Sequence, residues 1–199
     1  MKKLVWLIAV SPLILAACNG LQADAPEVDV LSRVYVQVEN VLDQEHANGE
    51  RDVYAEDAAT LRRGPNGLQV SVQIPTPEPG TYNYPDPGEP TAAEPGHPEA
   101  FTLWVFVFDE ELGPYQDFPW SSAFLGAGHV VGGPNLTLSG HISKSSEPFA
   151  GFPLENPQDV EVHFAVAPHG GLDPAIMPDQ IKTPAGSPPL WWVALFEAP

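Results

Sequence analysis

Leu68-Gln69-Val70-Ser71-Val72-Gln73-Ile74 decides the fold class. Apolar side chains occupy every second position and Gln or Ser fills the positions between. Successive side chains of a strand point to opposite faces, so this spacing predicts a half-buried β-strand. Just before it stands Gly64-Pro65-Asn66-Gly67, a turn signal. The stretch before that, residues 53–63, admits two readings. A helix would start after Asp52, with Glu56 and Asp57 early, Arg62 and Arg63 late, and Gly64-Pro65 as its stop. A strand through Ala58–Arg63 would instead turn at Gly64–Gly67 and pair with the next strand. The strand is preferred, because the next segment supplies its partner.

The same period recurs along the chain. Val34, Val36 and Val38 alternate with Arg33, Tyr35, Gln37 and Glu39. Phe101, Leu103, Val105 and Val107 form one face of a run whose other face is Trp104, Phe106 and Phe108, as expected of a strand covered on both sides. Val160, Val162, Phe164 and Val166 make a further half-buried strand, with Glu161 and His163 opposite. Leu190–Phe196 makes a last strand, apolar on both faces. Phe124–Val131 and Leu136–Ser143 are read as a hairpin around Gly132-Gly133-Pro134-Asn135. Asp173-Pro174 suits a single helical turn, since Asp caps and Pro tolerates the first position. No amphipathic helix of useful length is found. The expected fold is therefore all-β: an antiparallel β-sandwich, immunoglobulin-like or jelly-roll-like in outline.

Pro75–Pro98 contains eight prolines in 24 residues and no Lys or Arg. Proline cannot donate to a sheet ladder, so the segment reads as a long extended loop. It is expected to be the segment cut first by proteases within one domain spanning residues 28–197.

The amino terminus carries a different message. Met1-Lys2-Lys3 is basic, residues 4–15 are apolar apart from Ser11-Pro12, and small residues lead to Cys18, the only cysteine. A spanning helix needs about 20 apolar residues, so this order is that of an export signal. Leu15-Ala16-Ala17-Cys18 resembles the lipobox of bacterial lipoproteins. The resemblance implies that residues 1–17 are a signal peptide cut before Cys18, and that the Cys18 thiol carries a diacylglycerol. A third acyl chain on the new amine, such as palmitate, usually completes such an anchor. By the same resemblance Asn19, where Asp would favour retention in the inner membrane, points to the outer membrane in an organism that has one. Residues 18–27 form a short tether, and a flexible tether of about ten residues spans roughly 16–19 Å. The expected location is the cell envelope, with the domain close to the membrane surface.

Charge narrows the partners. The chain holds 26 acidic and eight basic residues, a net charge of −18, and losing Lys2 and Lys3 with the signal makes it more negative. Phosphate backbones repel such a surface, so nucleic acid is excluded as a partner. The expected contacts are the membrane, through the lipid, and a protein or glycan of the envelope. Lipidation consumes the only thiol, so no disulfide is expected.

Catalytic chemistry finds no constellation. There is no free thiol after lipidation and no G-x-S-x-G elbow, so no catalytic residue, no cofactor and no enzyme are expected. Calcium-type D-x-D-x-D-G loops are absent as well. Of the six histidines, His129, His141, His163 and His169 are the candidates for a metal site. His163 lies at the end of one predicted strand, His169 in the loop after it, and Glu161 is a potential third ligand. In the predicted hairpin register, His129 faces the apolar side and His141 the side of Thr137 and Ser139, which splits that pair and argues against a site. His163-Phe164 followed by Pro168-His169-Gly170-Gly171 faintly resembles a stretch of copper–zinc superoxide dismutases. The upstream metal histidines and the disulfide cysteines of that family are missing, so the activity is not carried over. Among aromatic residues, Tyr82, Tyr84, Tyr115 and Trp120 sit in Pro/Gly-rich segments and are the candidates for a ligand-stacking surface. Trp104 and Trp192 are expected in the core. The sequence thus reads as a lipid-anchored envelope β-sandwich with a non-catalytic binding or structural role. The alternative is a metal- or carbohydrate-binding module.

Overall fold

The computed structural model describes residues 30–38, 52–78, 98–130, 133–182 and 190–199. Nine strands form one antiparallel sheet: β1 (Val30–Val38), β2 (Asp52–Gly64), β3 (Gly67–Pro75), β4 (Glu99–Phe108), β5 (Ser122–Val130), β6 (Asn135–Ser143), β7 (Ala150–Gly151), β8 (Glu161–Gly171) and β9 (Leu190–Phe196). Their order is β6-β3-β2-β1-β9-β8-β4-β5-β7. The sheet curls until β5 packs on β6, giving a sandwich-like or barrel-like body in which β1 and β9 carry the ladder from one half to the other. The fold is all-β, as expected. Among the described residues no helix is long and apolar enough to cross a membrane.

The alternation read in the sequence maps onto the two faces. Leu68, Val70, Val72 and Ile74 of β3, Phe101, Leu103, Val105 and Val107 of β4, and Val162, Phe164 and Val166 of β8 all enter one enclosed core. Trp192, Ala194 and Phe196 join it from β9. Each fully buried Val, Leu or Phe contributes about 1.5–3 kcal/mol, and this core carries the fold without a staple. The opposite faces of β4, β8 and β9 build a second, smaller cluster on the outside of the curl, containing Trp104, Phe106, Trp120 and Val193. β4 is therefore covered on both sides, and Trp104 and Trp192 are buried, as expected.

Residues 52–64 are a strand and not a helix. Arg62 lies opposite Gln69 and Gly64 opposite Gly67, so Pro65-Asn66 closes a two-residue hairpin. Asp173 begins a tight turn, its Oδ1 accepting from the Ala175 N–H at 2.9 Å. A 3-10 turn at Asp179–Ile181 follows.

Two expectations fail. The 124–131/136–143 hairpin does not exist. β5 pairs with β4, His129 opposite Phe101, while β6 pairs with β3, His141 opposite Gln69. The connection passes from one end of the sheet to the other and leaves β5 and β6 stacked rather than laddered. Alternation identifies a strand but not its partner, and β3 offered β6 a longer apolar match: Leu136, Leu138 and Ile142 lie opposite Ile74, Val72 and Leu68. Likewise His169 is not in a loop. β8 continues to Gly171 through a bulge, where Glu99 pairs with Gly171 but Phe101 with Pro168. Gly170 takes φ +81° there, a conformation open to glycine at no steric cost.

Candidate functional site

On the outer face of β2, β3 and β6 the polar half of each alternation lines up in cross-strand rows. Arg62, Gln69 and His141 form one row, and Thr60, Ser71 and Ser139 form the next. Strands lie about 4.8 Å apart, and same-face residues about 7 Å apart along a strand. The six side chains thus cover roughly 10 by 7 Å. They line an open depression of about 600 Å³ whose floor includes Val70 and Gly140. Beneath the floor, Gly140 of β6 lies against the backbone of Gly126 of β5.

Two features set this depression apart from an ordinary polar surface. Among the described residues no carboxylate lines it. Among the described residues the side chains of Thr60, Gln69, Ser71, Ser139 and His141 have no hydrogen-bond partner, and they line the open depression. With no hydrogen bond from a serine to His141, the rows contain no nucleophile–base pair. Thr60, Ser71, Ser139, Gln69 and His141 supply hydroxyls, an amide and an imidazole: hydrogen-bonding chemistry for a polar ligand.

The other sequence candidates go elsewhere. Cys18, Tyr82 and Tyr84 lie outside the described residues, and of His129 only the backbone is described. His163 on β8 is nearly buried, its Nε2 2.5 Å from Glu161 Oε1 and its ring 4.3 Å from the Phe108 ring centroid. His169 is 1 % exposed and makes no bond at Nε2; burial pushes its pKa down to about 4. His163 and His169 are six residues apart on one strand, about 20 Å. Among the described residues no three His, Cys, Asp or Glu side chains converge on a point that could hold a metal.

Trp120, expected to be exposed, is 3 % exposed. Its Pro/Gly-rich loop folds back because Ser121 Oγ accepts from the Asp109 N–H at 3.0 Å and donates to the Gly113 carbonyl at 2.6 Å. That lays the indole over Phe106 of β4, ring centroids 5.9 Å apart. Tyr115 is half-buried and stacks on the same indole at 6.1 Å. The aromatics that do reach solvent, Phe118 and Phe149, were not singled out in the sequence, where nothing distinguishes them from core phenylalanines. Arg62 and Gln69 of one row and Thr60, Ser71 and Ser139 of the other were missed for a related reason: polar alternation in a strand reads as solvated surface.

No protein-family model, no curated protein and no solved structure matches the chain.

Proposed function

We propose that this chain is an exported, lipid-anchored envelope protein that holds a glycan, without catalysis, in the depression on the outer face of β2, β3 and β6. The observation that carries the reading is the pair of carboxylate-free cross-strand rows, with five side chains that have no hydrogen-bond partner among the described residues. A sugar ring offers several hydroxyls, each of which can both donate to and accept from such side chains. The anchor rests on Leu15-Ala16-Ala17-Cys18. A protein tethered at the membrane surface meets envelope glycans at high local concentration, so weak binding suffices.

Two experiments test the reading. Titration with a panel of neutral and acidic oligosaccharides, followed by amide chemical shifts, should perturb β3 and β6 around Gln69, Ser71 and His141. Gln69→Ala combined with His141→Ala should weaken binding about tenfold. Absence of binding by every oligosaccharide, or indifference to the double substitution, would overturn it. Cys18→Ser should release the protein from membranes or block its processing. A mature Cys18→Ser form that stays in the membrane fraction through salt and carbonate washes would count against the anchor.

A further inference from the structure

The outer face of β4 carries a second surface, remote in chemistry from the polar rows. Phe149 is 51 % exposed and Phe118 38 % exposed. Each covers a buried tryptophan. Phe149 meets Trp104 edge-on at 5.0 Å, and Phe118 stacks on Trp120 at 4.6 Å and 14°. Trp104 and Trp120 belong to one continuous apolar cluster, so the two phenylalanines cap a single aromatic ridge. Both indole N–H groups within it are buried and have no hydrogen-bond partner among the described residues.

The loops that present the ridge are acidic. Residues 109–121 carry Glu110, Glu111 and Asp117, all exposed, and no base. Residues 144–149 carry exposed Glu147 with one base, Lys144. The first loop is held in shape by the Ser121 bonds, by Asp109 Oδ1 accepting from the Glu111 and Leu112 N–H groups, and by a Tyr115 N–H to Trp120 carbonyl bond of 2.9 Å. A preformed surface loses little entropy on binding.

We propose that the Phe118–Phe149 ridge docks a cationic polypeptide segment. Arg or Lys side chains of the partner would meet Glu110, Glu111, Asp117 and Glu147 and lie over the exposed rings. Its apolar side chains would cover the ridge. The charge pattern selects this occupant over an acidic protein or an anionic lipid surface, both of which the rim repels. This surface is independent of the glycan reading.

The test uses the mature protein and two synthetic peptides of the same apolar residues, one bearing Arg, the other bearing Glu at the same positions. The Arg peptide should shift tryptophan emission and the indole N–H resonances of Trp104 and Trp120, and the Glu peptide should do neither. Phe118→Ser and Phe149→Ser should each weaken binding at least fivefold. Since exposing Trp120 risks the fold, Asp117→Asn with Glu111→Gln provides a second arm, expected to weaken binding about fivefold with an unchanged melting temperature. Unchanged affinity in all these variants would mean diffuse attraction to an acidic protein and would overturn the proposal. So would failure of the Arg peptide to bind. Phenylalanine-dependent association with phosphatidylcholine vesicles in place of the peptide would assign the surface to lipid and overturn it too.

Discussion

Gly140 of β6 is seated against Gly126 of β5 so closely that a methyl group on Gly140 would lie 2.0 Å from the Gly126 carbonyl oxygen. This contact is where the two ends of the curled sheet meet without a ladder, and it sets the floor of the polar depression. The obstacle is backbone, which cannot rotate aside as a side chain would. Gly140→Ala should therefore cost about 3 kcal/mol, the upper end for overpacking. Gly133→Ala, with nothing within 4 Å of the added carbon, should stay within about 0.5 kcal/mol. Equilibrium urea unfolding checks both. Equal stability of the two variants would show that β5 and β6 do not pack as described.

Arg63 closes the same body at another edge. It stands at the end of β2, and its Nη2 donates to the carbonyl oxygens of Glu197 at 2.7 Å and Val160 at 3.1 Å. It thereby ties the hairpin to the start of β8 and the end of β9. Burial pulls its pKa below the ordinary value, yet the guanidinium stays charged, so these are charge-assisted bonds. Arg63→Met keeps the apolar stem but orphans the carbonyls, and should cost about 2 kcal/mol. The urea midpoint should fall with an unchanged slope; a midpoint within error of the parent would remove Arg63 from the architecture.

The histidines should not confer metal-dependent stability. His141 faces outward on β6, while His163 and His169 lie about 20 Å apart on β8, and among the described residues no three His, Cys, Asp or Glu side chains converge beside the Glu161–His163 pair. A site that binds the folded state adds about 4.1 kcal/mol at a thousand times its dissociation constant. Thermal melts with zinc, with copper(II) and with chelator should nearly coincide. A large zinc-dependent rise abolished by His163→Ala would require a third ligand beside the Glu161–His163 pair and would reverse this expectation.

Which residues are strands, and which face of each is buried, was legible in the sequence because both follow from period-two alternation. Leu68–Ile74 and Phe101–Phe108 needed nothing else. Pairing was not legible. The Gly-Gly-Pro-Asn connection suits a hairpin as well as a crossing, and the choice is made by the curl of the whole sheet. Pro168 and Gly170-Gly171 look like strand terminators, but a bulge absorbs them and keeps His169 inside β8. Trp120 was misplaced because loop composition says nothing of hydrogen bonds such as Ser121 to Gly113. The candidate site was half legible: His141 was named, but its row with Gln69 and Arg62 exists only once β6 pairs with β3.

His169 should make the fold acid-sensitive in a defined window. Its ring is buried in the β8 bulge, and Gln180 Nε2 holds its carbonyl at 3.1 Å. Burial lowers its folded-state pKa from 6.5 to about 4. Above 6.5 the imidazole is neutral in both states, and the native state bears no penalty. Between 6.5 and 4 the unfolded chain takes up a proton that the folded one refuses, so stability falls as the pH falls. Below about 4 both states are protonated and the loss is complete, about 3 kcal/mol. The carboxylates titrate over part of the same range, so the decisive quantity is the difference between the parent and His169→Gln, which keeps a polar group but cannot titrate. That difference should move by about 3 kcal/mol in favour of the variant between pH 7 and pH 4. Unfolding curves collected across this range that stay parallel for the two proteins would show that His169 is not held neutral by burial.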